Sequence, residues 1–502
     1  MAEELKSFPS PSIGRGSKCE KHSLTLAIIG GGYAGMAAAV TLAADNIPVT
    51  VFESAKQLGG RARGVPYFNQ HPHVDDEVAP PVQSPLASLI PSDGKKSNRP
   101  LQGNSLMLDN GQHILLGCYQ HTLSLIKLVG GNIEDDFQRL PLQLTLHNRF
   151  ELKAPRLPAP LHLLVGFLRA KGLSYTARIH AARFMLAMRK IKFKLPHDIT
   201  ALELLRTHKQ DDDLIRLLWE PICISALNTP VHKASAQVLL NVLRDSLNGS
   251  RADSDMLLPR VDFSALFPDR AADYVKARGG KIIVSCGVDA IIAHDDGIEL
   301  ITSQGAQRFD KVICAASPSS TVRLFNQLPA LQGIARQIEA IPYQPIYTVY
   351  LQYPTSVKLP HPMLGLYRCV SQWLFDRGQI TGQHGLIAVV ISAEGIHQEL
   401  TQDQLAQKVT QELHVQLGIV ETPLWHKVIA EKRATFSCEP NLLRPGLITP
   451  VHNMLLAGDF TAGDYPSTLE GAVMSGIRCA KEVAKKLPSR VMLKRVSNQD
   501  HS

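Results

Sequence analysis

No apolar run in this chain approaches the roughly 20 residues that a membrane-spanning helix requires. Runs such as the one around Leu163–Val165 break after a few positions, so no transmembrane segment is expected. The opening residues Met1-Ala-Glu-Glu-Leu-Lys6 carry acid and lead into no apolar core before Lys21, which excludes a secretory leader from the expectation and favours the cytoplasm. The eight cysteines, at 19, 118, 223, 286, 314, 369, 438 and 479, form no Cys-x-x-Cys pair. That scatter suits reduced thiols, with no disulfide and no metal expected. Acid is missing from one long stretch: between Glu151 and Asp198 there is neither Asp nor Glu.

What is present suits globular protein. A length of 502 residues with 44% hydrophobic and 20% charged content supports two substantial cores and argues against disorder. Residues 1–23 are polar and read as a flexible tail. The stretch 77–104, rich in Pro, Ser and charge without a sustained period, reads as a loop inserted into a first unit over 24–120. Residues 121–269 are expected to be mainly helical, because 199–206 and 211–219 space Leu and Ile by three and four, with Asp198 and Asp211 as candidate caps. Short β-rich runs at Lys281–Val284, Gly297–Ile301 and Lys311–Ala315 return the chain to a sheet. The expected order is a first domain over 24–120, 270–325 and 430–488, interleaved with a second over 121–269 and 326–429, then a tail at 489–502.

The first motif is Gly30-Gly31-Gly32-Tyr33-Ala34-Gly35, directly after the apolar run Leu24–Ile29 and before the alanine-rich 37–44. Gly30 permits a tight turn, Gly32 lets backbone approach a pyrophosphate, and Gly35 lets the helix pack closely, while the helix N-terminus offers N–H groups to phosphate. About twenty residues on, the strand Pro48–Phe52 ends in Glu53, a carboxylate placed to accept ribose hydroxyls. This half-site serves NAD and FAD equally.

Leu58-Gly59-Gly60-Arg61-Ala62-Arg63 then resembles the glycine-arginine signature of the FAD proteins that include amine oxidases and phytoene desaturases. A guanidinium there suits paired phosphate oxyanions. The resemblance continues at Met454–Phe460, with Gly458 and Asp459, and at Tyr465–Gly476. It implies that Asp459 binds a ribityl or phosphate-side hydroxyl, and that a helix beginning near Thr468 and Leu469 points its positive end at the flavin. Val288 would present backbone groups to adenine. The implied fold is α/β, a Rossmann-like FAD-binding domain of the glutathione-reductase and amine-oxidase type, with an interleaved, largely helical substrate domain. FAD is the expected cofactor.

Within that group the chain is most similar to the hydroxysqualene dehydroxylases, through Leu108-Asp109-Asn110-Gly111-Gln112-His113, Trp219–Ile222, Ala226–Thr229, Gln372–Arg377 and the C-terminal motif. The resemblance implies reductive removal of an allylic hydroxyl, giving squalene. It calls for an apolar slot, a proton donor, an electron donor for the flavin and exclusion of water. His113, Asp109 and Asp376 are the candidates for the acid, with Glu470 a further one, and each has a structural role available as well: a turn cap for Asp109, a loop contact for His113, a pair with Arg377 for Asp376, a helix cap for Glu470. Trp373 and Phe375 are candidates to line the slot. The alternatives are a carotenoid-type desaturase or other isoprenoid oxidase, an amine oxidase, and a prenyl-lipid escort without catalysis.

Residues 153–195 hold ten basic residues, Lys153, Arg156, Arg169, Lys171, Arg178, Arg183, Arg189, Lys190, Lys192 and Lys194, more than the whole chain's formal +8. Interleaved Leu, Phe, Met and Ile make the segment resemble an interfacial amphipathic one, so a peripheral contact with anionic membrane is expected beside the plainer reading of a solvated helix face. Neither nucleic acid nor metal is expected as a partner.

Overall fold

The computed structural model describes residues 24–68 and 105–485. The expected tails and the inserted loop 77–104 lie outside the described residues.

Five parallel strands form the first layer: β1 (Leu26–Ile29), β2 (Thr50–Phe52), β3 (Lys281–Ile283), β4 (Lys311–Cys314) and β5 (Met454–Leu456), in the order β3-β2-β1-β4-β5. All four residues of β1 are buried, as a parallel strand covered on both faces must be. Chain order differs sharply from sheet order, so three distant segments build one sheet. Helix α1 (Tyr33–Ala44) packs against the C-terminal helix α2 (Leu469–Lys485). Their backbones nearly touch: a Cβ added to Gly476 would lie 2.0 Å from the Ala34 carbonyl oxygen. Packing therefore requires glycine at position 476 of α2, where α1 passes too close for a side chain.

The second layer is a seven-stranded sheet running Trp425–Phe436, Tyr343–Gln352, Leu386–Ser392, Trp373–Asp376, Met363–Gly365, Gln143–Leu146, Phe150–Lys153. Side chains alternate across it. Val349, Leu351, Val389 and Val428 join one core with helix Gln402–Leu417, while Trp373, Phe375 and Val390 face the main core on the other side. The expected mainly helical stretch 121–269 opens with the helices Gln120–Leu128 and Ile133–Asp136, then carries three short strands over 137–153 before the longer run of helices from Leu161 to Leu247. Asp211 caps as expected, accepting from Leu214 N at 2.8 Å. Asp198 does not cap the 201–207 helix. Thr200 does, accepting from Glu203 N at 3.2 Å, while Asp198 accepts from Ser235 Oγ at 2.6 Å and Gln237 N at 3.0 Å, which anchors the start of the next long helix.

Candidate functional site

A cavity of about 540 Å³ runs from the carboxyl end of β1 to the inner face of the seven-stranded sheet. Its first wall is backbone. Gly30 has φ 103°, and a Cβ there would stand 2.5 Å from the Ala315 carbonyl oxygen, so only glycine fits the turn. Gly32 is different: an added Cβ would meet nothing nearer than Gly60 Cα at 3.9 Å, so the space beside it belongs to the cavity. Gly35 lies off the cavity lining and performs the packing role expected of it, its notional Cβ falling 2.0 Å from the Gly30 carbonyl oxygen. No side chain caps α1, leaving its first N–H groups for an anion. Tyr33 and Ala34 line the same end.

Glu53 lies at the tip of β2, with Oε2 accepting from Gly31 N and Oε1 from Ala55 N, both at 2.7 Å. Two amides therefore fix its carboxylate before any ligand arrives. Val288 lines the cavity, and its carbonyl accepts from Arg323 Nη2 at 2.8 Å. Toward the centre, Arg61 pairs with Asp459 and donates to the Ala434 carbonyl at 2.6 Å. Asp459 also accepts from Ser467 Oγ. Gly60, Gly458, Thr468 and Leu469 complete this wall, and α2 starts there.

These features fit a flavin dinucleotide, since bare backbone at Gly32 and Gly60, an uncapped helix end and a guanidinium suit a pyrophosphate. The start of α2 adds the positive end of a helix dipole. The volume is within the range of cofactor and ligand sites.

Beyond Arg61 the wall becomes apolar. Ile346, Met363, Trp373, Phe375, Val390 and Ile429 project from the seven-stranded sheet into the cavity, which places the two expected slot aromatics there. The candidate acids separate. His113 lines the cavity, packs on Phe263 with ring centroids 4.9 Å apart, and has Nδ1 2.9 Å from the Gly111 carbonyl. A carbonyl only accepts, so Nδ1 carries the hydrogen and a neutral ring presents bare Nε2. Burial, aided by the Arg61 charge, lowers the pKa below the ordinary imidazole value against the Gly111 bond. His113 is thus built to accept, not to donate.

Asp109 and Asp376 stand outside the lining. Asp109 is buried, accepts from Phe263 N at 3.0 Å and pairs with Arg377 at 3.2 Å. Asp376, which was expected to pair with Arg377, instead caps the 377–381 helix through Gln379 N at 3.0 Å and accepts from Leu359 N at 2.8 Å. Glu470 is also structural, receiving Thr122 N at 2.9 Å and His121 N at 3.0 Å.

Two polar residues on the sheet face were not singled out by the sequence. Thr348 and Glu431 both line the cavity, and a polar position recurring at period two beside Ile346 and Ile429 was the available signal. Of the three cavity-lining carboxylates among the described residues, Glu53 and Asp459 are fixed as above. Glu431 accepts from Arg433 N at 3.3 Å.

A family model described as flavin containing amine oxidoreductase matches residues 94–484, and one described as an NAD(P)-binding Rossmann-like domain matches 28–78. The chain is 26% identical to a hydroxysqualene dehydroxylase of Zymomonas mobilis over 89% of its own length and 96% of the relative's. It is 22% identical to a zeta-carotene desaturase of Zea mays, covering 94% of this chain and 84% of that one. An oxidoreductase of Methanosarcina mazei superposes with a TM-score of 0.67 at 14% identity, covering 92% of this chain and all of the other, a likeness of fold.

Proposed function

The chain belongs to the flavin containing amine oxidoreductase family, and we propose that it removes the hydroxyl of hydroxysqualene reductively, giving squalene. The observation that carries this reading is an apolar sheet face, with Trp373, Phe375 and Ile346, continuous with the dinucleotide notch in one cavity. A long hydrocarbon with one polar group suits such a wall. The end-to-end alignment with proteins named hydroxysqualene dehydroxylase supports it.

A reduced flavin held in this site would supply the hydride that the allylic carbon requires. The chain's residues supply the rest. Gly30, Gly32, Tyr33, Ala34, Gly60, Arg61, Val288, Gly458, Asp459, Thr468 and Leu469 would hold the cofactor, with Glu53 placed to accept from its ribose. The apolar sheet face excludes water, which would otherwise trap a developing allylic cation. Glu431 is assigned the proton delivered to the leaving oxygen, so that the C–O bond breaks, water departs and a C–H bond forms. His113 Nε2 accepts. Each turnover consumes one proton and one hydride, so an electron donor must restore the reduced cofactor.

Because the substrate is insoluble in water, the protein is further proposed to collect it at the inner, anionic face of the cytoplasmic membrane through residues 153–195. The related desaturation chemistry is the second reading, favoured by the zeta-carotene desaturase relatives. Anaerobic incubation of the reduced protein with hydroxysqualene, with products identified by mass, separates the two. Squalene should form under reduction and not with oxidised protein alone. Absence of squalene from the reduced reaction, or a more unsaturated product under oxidation, would replace the dehydroxylase reading.

A further inference from the structure

The hydroxyl of Thr348 is out of place in its wall. It sits in the strand Tyr343–Gln352 with 1% exposure, on the face that carries Ile346, Met363, Trp373 and Val390, and its oxygen has no hydrogen-bond partner among the described residues. A buried hydroxyl without a partner costs on the order of 1–3 kcal/mol, whereas valine of the same shape would cost nothing there. Arg63 Nε is the other unpartnered buried atom among the cavity-lining residues, and it belongs to the Leu58–Arg63 segment of the dinucleotide wall.

The edge of the His113 ring borders the same spot. Gly111 has φ 116°, and a Cβ built on it would stand 3.3 Å from His113 Cε1 and 3.9 Å from Thr348 Oγ. The two side chains therefore flank one stretch of bare backbone at the cavity edge. His113 presents an unprotonated Nε2, since Nδ1 is committed to the Gly111 carbonyl. One group donates and the other accepts, which is the complement of an alcohol.

We propose that Thr348 and His113 form a hydroxyl-recognition subsite, in which the alcohol of a long isoprenoid accepts from Thr348 Oγ and donates to His113 Nε2. The proposal rests on the dehydroxylase reading and adds to it a determinant of specificity. Thr348 is a positioning residue: it selects the hydroxylated chain over the hydrocarbon and sets the C–O bond in place. Product leaves more easily than substrate because squalene has nothing to offer either group.

The test compares flavin-loaded wild type with Thr348→Val and Thr348→Ser, titrating each with hydroxysqualene and with squalene and reading the change in flavin absorbance. Thr348→Val should weaken hydroxysqualene binding about tenfold, the worth of one buried hydrogen bond, and leave squalene binding unchanged. Its melting temperature should not fall. Thr348→Ser should restore the preference for the alcohol. Equal weakening of both ligands, or an unchanged preference in Thr348→Val, would overturn the subsite while leaving the dehydroxylase reading intact. Failure of the reading itself shows separately, as no conversion of hydroxysqualene by reduced wild type.

Discussion

Arg377 Nη1 lies 3.2 Å from Asp109 Oδ2, and both side chains are buried. Asp109 ends the strand Ser105–Asp109 immediately before the cavity-lining loop 110–113, and Arg377 follows the strand Trp373–Asp376. The pair therefore clamps that loop to the seven-stranded sheet. Arg377 Nη1 also donates to Gln112 Oε1 at 2.9 Å, so one guanidinium fixes two positions of the motif that presents His113.

Burial pushes the Asp109 carboxyl up to about 6, opposed by Arg377 and the Phe263 amide and aided by Asp262. A raised folded-state pKa means that the folded protein holds a proton which the unfolded chain has released. Asp109 thus contributes stability that is complete below the ordinary value of 3.8 and is lost as pH rises through about 6. The unfolding free energy of wild type minus that of Asp109→Asn should fall between these two values and level off above them, measured by parallel denaturation. A difference that grows with pH would mean that Arg377 outweighs burial.

The glycines of the first motif should separate folding from cofactor binding. Gly32→Glu places a carboxylate where phosphate is expected, yet its Cβ meets nothing nearer than Gly60 Cα at 3.9 Å, so the variant should fold with little change in melting temperature and purify without flavin. Asp459→Ala should also lose flavin by releasing Arg61. Gly35→Ala drives a methyl into the Gly30 carbonyl, so both stability and flavin should fall. Full flavin stoichiometry in Gly32→Glu and Asp459→Ala would remove the cofactor from this site.

Glu431→Gln keeps shape and hydrogen bonding while removing the exchangeable acid. General acid catalysis is typically worth about 10² to 10⁴ in rate, so single-turnover squalene formation should slow by roughly that factor with flavin content unchanged. A rate within a few-fold of wild type would shift the proton to another source.

The dinucleotide half-site was legible because it is local: strand, glycines, helix, strand and Glu53 follow one another within 30 residues of chain, and each glycine answers a backbone constraint of that unit. The C-terminal half was legible by resemblance, since neither β5 nor α2 has a local pattern that declares a flavin. The acids were not legible. Whether Asp109 or Asp376 meets Arg377 depends on a contact across 268 positions, and both are plausible caps in isolation. Thr348 and Glu431 read as ordinary polar positions of alternating strands until the sheet's inner face is seen to border the cavity. Thr200 rather than Asp198 caps the 201–207 helix because it stands immediately before Ala201, where its hydroxyl reaches Glu203 N.

The basic segment resolves into two faces. Leu163, Phe167, Phe184, Met188 and Phe193 are buried, while Leu161, Leu164, Leu168, Leu186 and Ile191 are exposed, Leu186 at 63%. Half of the apolar residues that suggested an interfacial segment therefore belong to the core, and the outward ones lie on two packed helices, Leu161–Arg169 and Tyr175–Lys190. The charge is also reduced, because Glu151 pairs with Lys153 and Lys171. What remains is an exposed rim of Leu and Ile beside Arg169, Arg183, Arg189, Lys190, Lys192 and Lys194. Inward, Phe184 packs on Trp219 with ring centroids 5.0 Å apart, and Trp219 leads into the helix Glu220–Leu227, whose Ile224 and Ala226 line the cavity. The rim is thus one helix away from the slot that an insoluble substrate must enter. No helix among the described residues is long and apolar enough to cross a membrane. Each basic residue of the rim near an anionic surface should contribute about 1 kcal/mol. Sedimentation with phosphatidylglycerol vesicles should carry the protein down and phosphatidylcholine should not. Salt should weaken binding, as should changing Arg189, Lys190, Lys192 and Lys194 to Gln. Leu186→Ser combined with Leu164→Ser should weaken it even at low salt, because the apolar face would no longer enter the acyl boundary. Equal sedimentation of wild type and the charge variant would rule this segment out as the membrane contact.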